Sequence, residues 1–189
     1  DKIIEIGSNY AVGVKNVTSN EAYFNGHFPN HPIMPGVLQL EAMKQLAELA
    51  VREKIAAPGA DFIRIAKIAK VKFRRPANPG DRLKIDAEIL EMEANNALLK
   101  AVISTSAGVA SEAQITLAVR DRAAGPESMP QLFNEYDKND AVLMDISKVM
   151  DLMPHRFPFL LIDYIPENRG ENVLAIKNIS ANEAFFDNM

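Results

Sequence analysis

An imidazole and a carboxyl group stand fourteen residues apart early in the chain, at His27 and Glu41. His27 could act as a general base, because imidazole ionises near neutral pH. Gly36 opens a helix between them, so its amide and that of Val37 are donors without intrahelical partners that could bind a carbonyl oxygen. Removing a proton next to a carbonyl and expelling a β-hydroxyl needs a base, an oxyanion donor and an acid. His27, Gly36 and Glu41 could supply all three.

Each of these residues also has a plainer interpretation. A loop histidine such as His27 can simply cap or pack. Glu41 could face solvent on an amphipathic helix, although the Ala, Leu and Met residues around it predict a desolvated carboxyl that stays protonated as an acid. Gln45 lies one helical turn further on, where it could orient Glu41 through a hydrogen bond or be an ordinary surface residue.

The elements that must position these residues follow from proline spacing and hydrophobic periodicity. Pro29, Pro32 and Pro35 exclude regular helix or central strand before Gly36, which predicts a shaped loop. From Gly36 to about Arg52 apolar residues cover most sides of a helical wheel, which predicts a buried helix. Strand patterns with turn formers between them occur at 1–6, 10–18, 62–75, 82–91, 97–106 and 109–120. One helix and an antiparallel meander predict an α+β fold in which the sheet wraps the helix.

Composition excludes several classes of function. The 189 residues carry a net charge of -4, three histidines and no cysteine. This argues against a nucleic-acid binder, and it excludes disulfides and thiolate catalysis. No apolar run is long enough to span a membrane. We expect no metal and no cofactor, since the prolines around His31 prevent it from pairing with His27 as a ligand. We expect a cytoplasmic protein, with a plastid as an alternative.

An internal repeat organises the chain. Residues 15–24 recur as residues 177–186 at an offset of 162, with six of ten positions identical. We therefore predict a first unit at 1–122 without its N-terminal segment, a linker at 123–143 and the N-terminal part of a second unit at 144–189. In the second unit we expect a short helix capped by Asp145 and ended by Pro154, then a strand at 157–165. Residues 145–165 are expected to dock on the first unit.

The motif around the candidate residues resembles a known family. Gly-His-Phe-Pro-x-His-Pro-x-Met-Pro-Gly at 26–36, followed by Glu-Ala-Met-x-Gln at 41–45, resembles the (3R)-hydroxyacyl-acyl-carrier-protein dehydratases, and the segments at 72–76, 79–81 and 154–163 extend the likeness. The resemblance implies the hotdog fold and dehydration of (3R)-3-hydroxyacyl-acyl-carrier protein to the trans-2-enoyl product in fatty-acid synthesis. It also implies His27 and Glu41 as the catalytic pair and Gly36 as the carbonyl-binding amide. Glutamate at 41, where related dehydratase–isomerases carry aspartate, favours dehydration without isomerisation.

The resemblance further implies that two hotdogs pair, with the histidine of one meeting the glutamate of the other. The pair could be a homo-oligomer or a double hotdog within one chain. At offset 162, Met189 takes the place of His27. In an intramolecular double hotdog, only one of the two sites would then keep its base.

A run of basic residues could bind the carrier protein. Lys70, Lys72 and Arg74 alternate along a strand with Arg75 beside them, which suggests a docking patch for an acidic acyl-carrier protein or simply a solvated strand face.

Two other functions of the protein stay open from the residues alone. One is a hotdog thioesterase or hydratase, and the other is a non-catalytic carrier-binding module of a larger synthase.

Overall fold

The computed structural model describes residues 1–54, 61–93, 95–121, 142–180 and 183. Backbone contacts divide the chain into a larger unit, residues 1–24 and 32–127, and a smaller unit, residues 25–31 and 128–189. Most of the expected linker and Met189 lie outside the described residues.

The larger unit is a six-stranded antiparallel sheet with one long helix. In chain order its elements are β1 (Lys2–Ile6), β2 (Tyr10–Asn16), a 3₁₀ helix (Ala22–Asn25) that ends at the boundary between the units, α1 (Gly36–Arg52), β3 (Asp61–Phe73), β4 (Arg82–Met92), β5 (Asn96–Thr105) and β6 (Gly108–Asp121). The strand order is β1-β2-β4-β5-β6-β3. The expected α+β architecture is confirmed.

Alternating burial fixes the register of the central strands. In β4 the side chains of Leu83 and Ile85 are buried while their neighbours face outward, and β5 repeats the pattern with Leu99 and Ile103. A slip of one residue would turn every one of these side chains to the wet face. Met43 and other apolar residues of α1 supply the opposite side of the core.

The helix α1 is not buried on most sides, so that expectation is wrong. Val37, Glu41, Gln45 and Leu49 form an exposed stripe at four-residue spacing, which we call the open stripe. Val37 is 62% exposed despite its apolar side chain. The sheet covers only one face of a single helix, and composition alone does not show which apolar residues the sheet reaches.

The smaller unit contains a short helix and a hairpin. The helix α2 (Ile146–Leu152) begins as expected at Asp145, whose carboxylate accepts a hydrogen bond from the amide of Lys148 at 3.0 Å. The hairpin pairs β7 (Tyr164–Asn168) with β8 (Val173–Ile176). The strand expected at 157–165 is wrong over most of its length. Phe159 instead donates its amide to the carbonyl of Arg156 at 2.7 Å, which makes a turn, and Pro158 has no amide to offer a sheet.

The two hairpins match residue by residue at the offset of 162. Lys2 pairs with Val14, and Tyr164 pairs with Ile176. Both ladders then shift register before the next residue that is paired in both hairpins, which is Glu5 in β1 and Glu167 in β7. The same polar cluster closes both. Asn16 donates its amide to Asp1 at 2.7 Å, and Asn178 donates its amide to Asp163 at 2.6 Å. Lysines at 15 and 177 reach glutamates at 21 and 183, at 2.7 and 2.9 Å. The sequence repeat is therefore also a repeat of local structure.

Among the described residues, no helix is long and apolar enough to cross a membrane. The same part of the chain holds no group of three or more potential ligands that could bind a metal ion.

Candidate active site

His27 lies in a tight loop of the smaller unit. The backbone groups of Phe28 and His31 exchange two hydrogen bonds, at 3.0 and 3.2 Å, which close the loop directly after His27. The His27 ring stacks on that of Phe28 with centroids 4.1 Å apart. His31 itself is exposed. Prolines and a short turn thus hold the candidate base in a defined place, as the sequence predicts.

A second loop of the smaller unit, residues 153–159, lies against His27. The ring of His155 approaches His27 edge-on at 5.8 Å between centroids, and the ring of Phe159 does so at 5.5 Å. The amide of Arg156 donates to the carbonyl of Gly26 at 3.0 Å. Nothing in the local sequence around His27 points to residues about 130 positions away. The likeness of 154–163 to the family's N-terminal segment was the available signal.

His155 is held in an unusual environment. Burial lowers the pKa of His155 below its ordinary value, and the nearby charge of His27 lowers it further. Its Nδ1 atom is buried and has no hydrogen-bond partner among the described residues. A buried polar atom without a partner is uncommon in native structures and calls for an explanation.

Glu41 and Gln45 lie together on α1 in the larger unit. The amide of Gln45 donates to a carboxylate oxygen of Glu41 at 2.8 Å, so the predicted orienting hydrogen bond is present. Both side chains are exposed on the open stripe. The expectation that Glu41 is desolvated among apolar residues is therefore wrong for this chain by itself, because its apolar neighbours face the sheet instead.

The helix α1 begins where the sequence predicts. The helix begins at Gly36, so the amides of Gly36 and Val37 are among the four that a helix leaves without intrahelical partners. The ring of Phe73 lies directly over Gly36. A Cβ at Gly36 would come within 2.5 Å of that ring. Glycine therefore allows β3 to cover the helix start closely.

A buried polar pair behind this turn was not predicted from the sequence. Ser111 donates its hydroxyl to the side-chain oxygen of Gln39 at 2.7 Å, and the Gln39 amide donates to the carbonyl of Met34 at 3.3 Å. Gln39 and Ser111 are 3% and 0% exposed. The pair ties the residues just before Gly36 to β6. A glutamine on an otherwise apolar helix face was the only available signal.

The predicted basic patch is on the exposed end of β3. Lys70, Lys72, Arg74 and Arg75 are all exposed, and so are the intervening apolar residues, so the expected contrast between two strand faces is absent. Glu112 on β6 contacts Arg74 at 2.6 Å and Lys72 at 3.6 Å. The hydrogen bond from Arg74 lowers the pKa of Glu112. Lys70 and Lys72 line a shallow cleft together with Lys100 on β5.

The predicted site residues therefore divide between the units. Gly36, Val37, Glu41 and Gln45 share one helix of the larger unit, whereas His27 belongs to the smaller unit.

Comparison with known proteins identifies the family. A family model described as a FabA-like domain matches residues 1–116. A 3-hydroxyacyl-[acyl-carrier-protein] dehydratase FabZ of Solibacter usitatus is 33% identical over 132 residues, covering 70% of this chain and 82% of that protein. The corresponding protein of Rickettsia bellii is 37% identical over 124 residues, covering 65% and 86%. The chain belongs to the FabA-like dehydratase family.

As a FabZ-type dehydratase, it removes water from 3-hydroxyacyl groups carried on acyl-carrier protein in fatty-acid biosynthesis, which confirms the expected enzyme class. The bifunctional enzyme LpxC/FabZ of Porphyromonas gingivalis is 53% identical over 83 residues, which cover 44% of this chain and 18% of that protein.

Solved structures confirm the hotdog fold. The PaaI protein of Escherichia coli matches with a TM-score of 0.52 at 17% identity, over 62% of this chain and 81% of that one. A Streptococcus mutans protein bound to acetyl CoA matches with a TM-score of 0.52 at 11% identity, over 64% and 88%.

Proposed function

We propose that His27 and a carboxylic acid at the place of Glu41 eliminate water from a (3R)-3-hydroxyacyl thioester. His27 takes the C2 proton, and the electron pair of that bond passes through an enolate into the new C2–C3 double bond. The C3–O bond breaks, and the hydroxyl group accepts the acid's proton and leaves as water. The product is the trans-2-enoyl thioester. No cofactor takes part in this proposal.

The start of α1 carries the proposal. Within its first ten residues it offers the amides of Gly36 and Val37 for the thioester oxygen and the hydrogen-bonded pair of Glu41 and Gln45 for proton transfer. Developing negative charge on the oxygen is stabilised by amides at the positive end of a helix dipole. Gln45 fixes the carboxyl orientation, so Glu41 can present its proton in one direction.

We further propose that the open stripe is covered by a second hotdog. Val37 and Leu49 are apolar yet exposed, and Glu41 lies between them in sequence. A covering partner would desolvate Glu41, which favours the protonated acid that the reaction needs. In a pair of identical chains the partner also brings a base to this acid, as the resemblance to paired hotdogs implies. In the tandem form the second unit has Met189 at the place of His27, so it would instead bring an acid to His27.

The partner is either a second copy of this chain or the second hotdog of a tandem protein. We propose the tandem form with the boundaries predicted above: a first unit at 1–122, a linker at 123–143 and the opening part of a second unit at 144–189. The match of β7–β8 to β1–β2, with the same register and the same polar cluster, supports this proposal.

The acyl-carrier protein is proposed to dock on Lys70, Lys72, Arg74 and Arg75. Electrostatic attraction would steer an acidic carrier to this end of β3. Because Glu112 already contacts Lys72 and Arg74, the attraction is weaker than the four charges alone suggest. We propose the cytoplasm as the location, which the absence of cysteine fits.

Turnover of a (3R)-3-hydroxyacyl thioester by His27→Ala and Glu41→Gln variants tests the catalytic roles. His27→Ala should lower kcat by about 10²- to 10⁴-fold, the usual contribution of general acid–base catalysis. Glu41→Gln should do the same if two copies of this chain pair, but it should keep most activity in the tandem form, where Met189 replaces the base that would meet Glu41. Glu48→Gln on the same helix is the matched control and should keep its activity, because Glu48 pairs with Lys44 and Arg52 away from the open stripe. Full dehydration by the His27 variant would contradict the proposal.

The activity of Glu41→Gln alone, and of its mixture with His27→Ala, then identifies the partner. If a second copy covers the open stripe, mixed dimers contain one intact site and part of the activity returns. If the partner lies in the same chain, Glu41→Gln is active by itself, because the acid that meets His27 then comes from the second unit, and mixing restores nothing further.

A further inference from the structure

The loop at 153–159 forms one side of the surroundings of His27. The rings of His155 and Phe159 both meet the His27 ring at an interplanar angle of 66°, with centroids 5.8 and 5.5 Å away, while Phe28 stacks on it at 4.1 Å. Aromatic contacts of this kind have preferred geometries. Three rings therefore restrict how the imidazole can turn.

Backbone contacts hold this loop against the base. The amide of Arg156 donates to the carbonyl of Gly26 at 3.0 Å. A Cβ at position 26 would overlap the carbonyl oxygen of Arg156 and would come within 2.5 Å of that of Phe157. Both obstacles are backbone atoms, which cannot rotate away. Gly26 is therefore needed for the close approach of the two loops.

The loop is also fixed internally. The Arg156 guanidinium donates to the carbonyls of Met153 and His155, each at 2.7 Å. The amide of Phe159 donates to the carbonyl of Arg156 at 2.7 Å. These bonds fold the loop so that His155 and Phe159 reach the same ring although three residues separate them.

We propose that the side chains of His155 and Phe159, on the loop at 153–159, are positioning residues that fix the ring of the catalytic base His27. This inference rests on the proposed role of His27 as the base. It adds that residues near the start of the proposed second unit complete the surroundings of the base in the first unit. Removing the C2 proton requires an aligned imidazole, and misplacing a catalytic group by about 1 Å can cost about 100-fold in rate.

A matched pair of phenylalanines separates positioning from general stability. Phe159 contacts the His27 ring, whereas Phe157, two residues earlier, is 77% exposed. Phe159→Ala should lower kcat about 10- to 100-fold with little change in KM. Phe157→Ala should leave both constants within about twofold, because a surface substitution outside special contacts has little effect.

The ring resonances of His27 give a readout that does not depend on turnover. In a ¹H–¹⁵N spectrum of the 189-residue chain, Phe159→Ala and Gly26→Ala should shift the imidazole signals of His27, and Phe157→Ala should not. Unchanged His27 signals in the Phe159 and Gly26 variants would overturn the positioning role.

The nature of the His155 contribution is tested by rescue. His155→Phe keeps an aromatic edge toward His27 and should retain most activity, whereas His155→Ala should lose it as Phe159→Ala does. Equal losses in both His155 variants would show that the imidazole itself is required and would overturn a purely positioning role.

The two proposals fail in different ways. If His27→Ala stays active, the proposed function fails. If His27→Ala is inactive and Phe159→Ala has normal activity, only the positioning proposal fails.

Discussion

Removing the hydroxyl of Ser111 should destabilise the larger unit without touching the substrate. Ser111→Ala leaves the side-chain oxygen of Gln39 buried, with the 2.7 Å hydrogen bond to it gone. Leaving one buried polar atom unsatisfied costs about 1–3 kcal/mol. At about 2–4 °C of Tm for each kcal/mol in a chain of this size, the shift is easy to measure.

Gln39→Met should cost more, because two groups lose their partner: the hydroxyl of Ser111 and the carbonyl of Met34. In the double variant the Ser111 hydroxyl no longer has to be buried unpaired. The combined loss should therefore be smaller than the sum of the single losses, by a coupling of about 0.5–3 kcal/mol.

Urea unfolding followed by far-ultraviolet circular dichroism measures all three variants, since the chain has no tryptophan. Ser106→Ala at an exposed turn is the control and should stay within about 0.5 kcal/mol of the parent. A loss of less than about 0.5 kcal/mol in Ser111→Ala, or strict additivity in the double variant, would refute the reasoning.

Three further outcomes follow from the site. Gly36→Ala should displace the Phe73 ring and lower activity, and adding Phe73→Ala should relieve the clash, as kcat and KM will show. Burial lowers the pKa of His155, so just below about pH 6.5 the folded chain binds fewer protons at this residue than the unfolded chain does. Hydrogen-exchange protection of residues 26–28 should therefore be full above that pH and fall as the pH drops through it. In the His155→Phe variant this pH dependence should be absent. Glu112→Gln should free Arg74 and strengthen carrier binding at low salt, seen as a lower KM for carrier-bound substrate that high salt abolishes.

Periodicity predicted the regular elements well because burial on one face decides them. The alternation in 82–91 gave β4 within one residue, and the proline loop gave the start of α1 at Gly36. The N-cap at Asp145 was visible because a capping side chain acts on the amide three residues ahead. These features depend on neighbours in sequence.

The errors concern contacts between distant parts of the chain. The exposure of Glu41 depends on where the sheet stops covering α1, and the approach of His155 to His27 joins residues 128 positions apart. The pairing of Gln39 with Ser111 likewise crosses from α1 to β6. The strand expected at 157–165 failed because the amide of Phe159 turns back to Arg156 and its ring contacts that of distant His27.

The matching hairpins have a consequence for how such a chain folds. The β7–β8 hairpin has the same register, the same bulge and the same closing aspartate as the β1–β2 hairpin. A strand of one hairpin could therefore also pair with the complementary strand of the other. Misassembly between like modules is a characteristic failure of repeat proteins. The polar cluster counters it, because Asp1 and Asp163 each engage residues only about fifteen positions ahead in their own hairpin. Local closure of this kind should form before distant strands meet, which would favour pairing of each strand within its own hairpin.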